Sequence, residues 1–227
     1  MKVIIFGASG MVGGGVLLEC LDEPQVESIL VVGRTPIGIE DAKIQEVLHQ
    51  DFFDYTAIEK SLSGCDACFF CLGVSAAGMS EEKYRHLTYD LTVATAETLV
   101  RLNPAMTFCY VTGAGTDSSE KGRMMWARVK GATENRLLEM PFKAAFMFRP
   151  GYIQPIKGIR SKTRLYQSLY TLLSWIYPLL EKLAPNQVTT TEKHGKAMIA
   201  VAQHGYSKNI LDPRDINELA GSLPPRS

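Results

Sequence analysis

Short apolar runs alternate with longer amphipathic segments along most of the chain. A run such as residues 3–6, rich in β-branched side chains, is typical of a strand buried on both faces of a parallel sheet. A segment such as residues 81–102, where apolar side chains recur every three or four positions, is typical of a helix. The predicted strands are residues 3–6, 28–32, 44–48, 66–72, 106–112 and 145–148, and the predicted helices are residues 11–21, 55–62, 81–102, 124–140 and 192–203. This alternation predicts a doubly wound parallel α/β sheet, whose ligands bind at the carboxyl ends of the strands.

Three glycines follow the first predicted strand at three-residue spacing: Gly7, Gly10 and Gly13. A turn without Cβ atoms lets a pyrophosphate approach the backbone and lets the next helix pack closely on the strand. The helix N-terminus would offer unpaired N–H groups and the positive end of its dipole to the phosphates. We therefore predict a dinucleotide-binding loop, with a glycine-rich turn that binds nothing as the alternative.

The second predicted strand ends at Gly33-Arg34, and this ending bears on cofactor choice. A fold of this kind that prefers NAD places an acidic residue here to accept a hydrogen bond from the ribose 2′-hydroxyl, whereas an arginine suits the 2′-phosphate of NADP. No acidic residue lies between Ile29 and Ile39. We therefore predict NADP as the cofactor, with Arg34 as a solvated surface residue in the alternative.

Residues after the third and fourth strands extend the predicted cleft. Asp51 and Phe52 would lie at the carboxyl edge of the sheet, where an adenine ring could rest, although Phe52 could equally belong to the core. Leu72 and Gly73 end the fourth strand beside the cofactor, and Gly73 would permit a close approach of the backbone.

Three cysteines at three-residue spacing, Cys65, Cys68 and Cys71, imitate a metal-binding motif. In a strand, Cys65 and Cys71 would share one face and Cys68 would point to the other, so the three thiols could not converge on one ion. We interpret them as buried structural cysteines and predict no metal site.

Composition narrows the class of protein. The 227 residues include 24 basic and 24 acidic side chains, so a surface that binds nucleic acid is not expected. Five cysteines, an odd number without the pattern of a small secreted domain, suggest free thiols in a reducing compartment, and we predict a cytoplasmic protein. No apolar run reaches the 18 residues or so that a membrane span needs.

We divide the chain into a nucleotide-binding core, residues 1–155, and a small helical region packed on it, residues 156–227. A basic run at 157–164 precedes an apolar, aromatic stretch at 165–183. The stretch could cover the substrate cleft or form a homodimer surface, and contact with a membrane surface is the weaker alternative. Residues 223–227 should form a loose tail.

With these residues placed, the chain resembles the atypical short-chain dehydrogenases, in particular the Tat-interacting-protein-like oxidoreductases and their NmrA-type relatives. The resemblance covers roughly residues 2–220 and implies a Rossmann fold. The motifs that carry it are Gly7-Ala8-Ser9-Gly10-Met11-Val12-Gly13, Val32-Gly33-Arg34, Val129-Lys130-Gly131 and Arg149-Pro150-Gly151.

The resemblance implies NADP binding, a Tyr-x-x-x-Lys pair, and a Ser or Thr after the fifth strand. Lys130 and Thr112 match, with Thr116, Ser118 and Ser119 as alternate hydroxyls, but Trp126 stands where the tyrosine is expected. The tyrosine passes a proton to the substrate carbonyl, which an indole cannot do. The predicted catalytic positions are Lys130, Thr112 and Trp126, and the predicted cofactor contacts are Gly7, Ser9, Gly10, Met11, Val12, Gly13, Arg34, Asp51, Phe52, Leu72, Gly73, Thr112, Lys130, Pro150 and Ile153.

Two functions follow from this pattern. The first is an NADP-dependent oxidoreductase acting on a small carbonyl-type molecule. The second, suggested by Trp126, is an impaired enzyme that binds NADP(H) and regulates a protein partner.

Overall fold

The computed structural model describes residues 1–157 and 187–223. Within them a seven-stranded sheet, parallel throughout, has the order β3-β2-β1-β4-β5-β6-β9. The strands are β1 Lys2–Phe6, β2 Ser28–Gly33, β3 Ile44–Leu48, β4 Ala67–Phe70, β5 Thr107–Val111, β6 Ala144–Phe148 and β9 Ile210–Leu211; β7 Tyr152–Gln154 and β8 Val188–Thr190 form a separate parallel pair. The strand order reverses between β1 and β4, which opens the ligand crevice of a Rossmann fold at their carboxyl ends.

Helices cover both faces of the sheet. They are α1 Met11–Asp22, α2 Glu59–Leu62 after a 3₁₀ turn at Thr56–Ile58, α3 Glu81–Arg85, α4 Leu91–Leu102, α5 Met125–Glu139, α6 Thr191–His204 and α7 Pro213–Ser222. One core cluster packs α1, α6 and α7 against one face, and a second packs α2, α4 and α5 against the other. Alternate residues of β1 enter opposite clusters, Val3 and Ile5 the first, Ile4 and Phe6 the second. This two-sided burial explains why the strand is apolar at successive positions.

The six predicted strands and the doubly wound fold are confirmed, with ends that differ by a few residues. The helix predicted at 81–102 contains a π turn, His86–Asp90, between α3 and α4. Such a turn shifts the helical face by inserting a residue, and π turns occur frequently at functional sites.

The cysteine prediction needs one correction. Because β4 spans only Ala67–Phe70, Cys65 lies before the strand and does not share a face with Cys71. Cys65 packs with the cluster that contains Cys68, and Cys71 packs with the other cluster. Burial raises the pKa of the Cys68 thiol well above its ordinary value, as expected for a structural cysteine.

The C-terminal part contributes to the main sheet rather than only lying on it. Two residues, Ile210–Leu211, pair with β6 as the seventh strand, and α6 packs against α1. Asp212 caps α7 and Pro213 occupies its first turn. The apolar stretch at 165–183, most of the basic run and the last four residues lie outside the described parts of the chain. No helix in the described parts combines the length and apolarity needed to span a bilayer.

Candidate functional site

The loop between β1 and α1 is built around two close backbone approaches. Gly7 has φ +81°, and a Cβ there would lie 2.9 Å from the Cys71 carbonyl carbon and oxygen. A Cβ on Gly13 would lie 2.2 Å from the Gly7 carbonyl oxygen, so α1 can sit this close to the loop only without a side chain. Gly10 is the N-cap of α1 with φ −88° and has no capping side chain. No side chain therefore caps the first-turn N–H groups of α1, which makes them candidate donors to a phosphate.

A groove of about 520 Å³ runs from this loop along the carboxyl end of β2. Ser9, Met11, Arg34, Leu72 and Gly73 line it, together with Gly7, Gly10 and Phe52, and none of its lining residues is acidic. The Arg34 guanidinium is exposed and makes no hydrogen bond or ion pair with another part of the described chain. The groove therefore carries one free positive charge at the end of β2 and no carboxylate.

Asp51 lies apart from this groove. Its side chain is exposed, and one carboxylate oxygen accepts a 2.9 Å hydrogen bond from the Phe53 backbone N–H, which stabilises a local turn. Phe52, in contrast, is 5% exposed, belongs to the core and still forms part of the groove wall. Both of the roles considered for Phe52 are thus compatible with its position.

A second, more apolar cavity of about 270 Å³ adjoins the groove, with Arg34, Phe52, Leu72 and Gly73 in both walls. It extends beneath the π turn, and its inner wall contains Tyr84, Tyr110 and Lys130. Arg34 and Lys130 are the charged residues of this lining, and both are cations.

A third depression, about 420 Å³, lies where the loops after β1, β5 and β6 meet. Met11, Val12, Thr112, Pro150 and Ile153 line it, together with Trp126. The Trp126 ring lies against the loop after β5, 3.4 Å from where a Cβ on Gly115 would stand. Trp126 also lines a fourth depression with Tyr84 and the loop at Ser75–Ala77. The predicted catalytic and cofactor positions thus line cavities at one edge of the sheet, with two exceptions. Gly13 packs against Gly7 without lining a cavity, and Asp51 lies outside the three cavities.

Lys130 is held by the backbone of the fifth strand's end. Its ammonium Nζ donates a 2.7 Å hydrogen bond to the Thr112 carbonyl oxygen. Burial lowers the pKa of Lys130 to about 8, and the negative charge of Glu134 acts in the opposite direction. Burial thus disfavours the charged form of the amine and Glu134 favours it.

The Thr112 hydroxyl is already engaged. It donates to Glu134 Oε1 at 2.6 Å and lies 3.1 Å from the Phe148 carbonyl oxygen. The Arg149 guanidinium binds the same carboxylate, with Nε 3.0 Å from each oxygen. Sequence reasoning missed Glu134, although its position, four residues after Lys130, places both on one face of α5.

The alternate hydroxyls of the loop after β5 have partners too. Thr116 donates to the Gly113 carbonyl oxygen, Ser118 accepts from Arg149, and Ser119 donates to Asp117. The Ser118 contact ties the loop to Arg149, directly after β6, and the hydroxyl protons of Thr116 and Ser119 are donated within the loop.

Comparison with known proteins places the chain by similarity. No protein-family model matches it. Protein HTATIP2 of Rattus norvegicus is 26% identical over 155 residues, 67% of this chain and 62% of that protein. Protein fmp52-2, mitochondrial, of Aspergillus oryzae is 22% identical over 221 residues, 95% of each chain. By sequence, the chain therefore resembles an atypical short-chain dehydrogenase of the Tat-interacting-protein-like type.

Solved structures agree with this chain in fold. YwfH, an NADPH-dependent reductase involved in bacilysin biosynthesis, has a TM-score of 0.66 at 14% identity and covers 94% of this chain and 97% of its own. WbmF of Bordetella bronchiseptica, solved with NAD⁺, has a TM-score of 0.66 at 14% identity and covers 97% of this chain and 76% of its own. The chain therefore has an NAD(P)-binding, oxidoreductase-like fold of the short-chain dehydrogenase type. The comparisons do not favour the regulatory alternative. The preference for NADP over NAD, the homodimer, the protein partner and the cytoplasmic location stay predictions.

Proposed function

We propose that the protein is an NADP-dependent oxidoreductase that acts on a small carbonyl-type molecule. The observation that carries the cofactor choice is the free Arg34 guanidinium in a groove whose lining contains no acidic residue. A 2′-phosphate beside Arg34 would form charge-assisted hydrogen bonds. A ribose 2′-hydroxyl would find no carboxylate there to accept its hydrogen bond.

The remaining residues fit the rest of the nucleotide. The uncapped N-terminus of α1 would bind the pyrophosphate, and the close approach of Gly13 to Gly7 sets the shape of that loop. Lys130 would donate to the nicotinamide ribose from the inner end of the cleft. NADPH, when bound, supplies the hydride for the substrate carbonyl carbon.

The carbonyl oxygen then needs a proton, and we assign the role of proton donor to Tyr84. Its phenol ring belongs to the cavity of Lys130 and also to the depression of Trp126, so it lies between the two family positions. Burial raises the pKa of Tyr84 and a hydrogen bond with Thr88 acts in the opposite direction, so the phenol enters the reaction in its protonated form. Tyr152, whose hydroxyl donates to Gln154 at 2.7 Å, belongs to the lining of neither cavity.

Equilibrium binding of NADPH and NADH tests the cofactor assignment. NADPH should bind more tightly by about 1.5–3 kcal/mol, roughly 10- to 150-fold. Arg34→Ala should remove this preference, whereas Arg123→Ala, which deletes an exposed charge away from the groove, should retain it. Equal dissociation constants in the unmutated protein would refute the assignment, and loss of NADPH absorbance across a carbonyl panel would test turnover.

A further inference from the structure

Glu134 is a fully buried carboxylate beside the proposed site, at 0% exposure. An ionised carboxylate is costly to bury unless it is paired and hydrogen-bonded. Both conditions are met: the Arg149 guanidinium pairs with Oε2 and donates from Nε to both oxygens, and the Thr112 hydroxyl donates to Oε1. The buried carboxylate is therefore both paired and hydrogen-bonded.

The carboxylate joins three elements at the point where the site is built. It projects from α5, Thr112 follows directly after β5, and Arg149 follows directly after β6. Arg149 continues the network to the Ser118 hydroxyl at 2.5 Å, in the loop after β5. The ends of two neighbouring strands are thus tied to one helix by one anion.

Lys130 depends on the same residue through two contacts. The Thr112 hydroxyl is bound by Glu134, and the Thr112 carbonyl oxygen accepts from Lys130 Nζ at 2.7 Å. Thr112 is therefore held from its side chain while its backbone holds the lysine. This use of the hydroxyl also argues against Thr112 as a proton donor to substrate.

We propose that Glu134 is a positioning residue that, through Thr112, holds the Lys130 ammonium in place for the nicotinamide ribose and supplies a carboxylate four residues away on the same face of α5. The proposal rests on the proposed function for the identity of the ligand, but the link from Glu134 to Lys130 can be tested without any nucleotide. The charged and titratable residues from other elements that line the same cavity as Lys130 are Arg34, Tyr84 and Tyr110. Glu134 is the anion that favours the charged amine.

The first experiment measures the titration of Lys130 in the nucleotide-free protein. Acylation with acetic anhydride at a series of pH values, followed by mass spectrometry of the Lys130 peptide, reports the fraction of neutral amine. In Glu134→Gln the midpoint should fall below the native value by about one unit, because an opposite charge has been removed. The control Glu97→Gln removes an exposed carboxylate that pairs with Arg136 on α5, and it should leave the midpoint unchanged.

The second experiment measures NADPH dissociation constants against pH. Glu134→Gln should weaken binding at pH 8 by about tenfold and should move the pH at which binding begins to weaken downward, as the neutral amine becomes dominant earlier. Thr112→Val keeps the carboxylate but removes the hydrogen bond between the Thr112 hydroxyl and Glu134, and it should also weaken NADPH binding. This variant tests the proposal if Glu134→Gln does not fold.

The outcomes separate the two levels of the argument. A native protein that binds no NADPH would refute the proposed function, while the acylation result would still decide the link. A folded Glu134→Gln protein with the native Lys130 midpoint would overturn the positioning role. Native NADPH affinity in Thr112→Val would overturn it as well.

Discussion

Substitution of Gly13 by alanine tests the packing of α1 on the nucleotide loop. The added Cβ would lie 2.2 Å from the Gly7 carbonyl oxygen and 2.6 Å from its carbon, and these are backbone atoms that cannot rotate away. The contact must open by about 0.8 Å to reach the 3.0 Å below which real Cβ contacts essentially never occur. Overpacking of this kind costs typically 1–3 kcal/mol, occasionally more, whereas alanine in a helix gains about 1 kcal/mol over glycine.

We therefore expect Gly13→Ala to lower the free energy of unfolding by about 1–2 kcal/mol and the Tm by roughly 2–8 °C for a chain of this size. NADPH affinity should fall with it, because the loop that binds the phosphates has to move. The matched control is Gly221→Ala in α7, where an added Cβ meets nothing within 4 Å and only the helical gain applies. Thermal unfolding followed by circular dichroism, with nucleotide titration, measures both effects. A Gly13→Ala protein with native Tm and native affinity would refute the close-packing argument.

Three further predictions concern the site and the core. Gly10→Val should leave the protein folded, since φ is −88° and the nearest contact of a Cβ would be 3.2 Å, but should abolish NADPH binding in titration calorimetry because a branched side chain would block the phosphates. Tyr84→Phe should reduce NADPH-dependent reduction of a carbonyl about 10²–10⁴-fold and Trp126→Tyr should raise it, whereas Trp126→Phe should not; an unchanged rate in Tyr84→Phe would show that another group gives the proton. Burial lowers the pKa of His194 to about 3, so between this value and about 6.5 the unfolded chain binds a proton at His194 and the folded chain does not. The free energy of unfolding should therefore fall as the pH drops below about 6.5. His194→Leu should show a smaller loss of Tm between pH 7 and 5, and an equal loss in both proteins would contradict this assignment.

Much of this molecule follows from local sequence. A continuous apolar run identifies a strand such as β1, because a strand that is covered on both faces is apolar at successive positions. The glycine spacing after β1 predicts the turn because neither Gly7 nor Gly13 has room for a Cβ. Arg34 is predicted at the groove because the carboxyl end of a parallel strand is where this fold places its ligand.

Only the tertiary structure decides what depends on partners distant in the chain. β9 has two residues, too short for any periodic signal, and it is a strand only because β6 lies beside it. The direction of the Thr112 hydroxyl is set by Glu134, 22 residues later, whose burial as an anion depends on Arg149. A sequence pattern reports which face a residue occupies, whereas a buried hydrogen bond requires two groups within about 3 Å, and that distance is settled by the packing of α5 against the ends of β5 and β6.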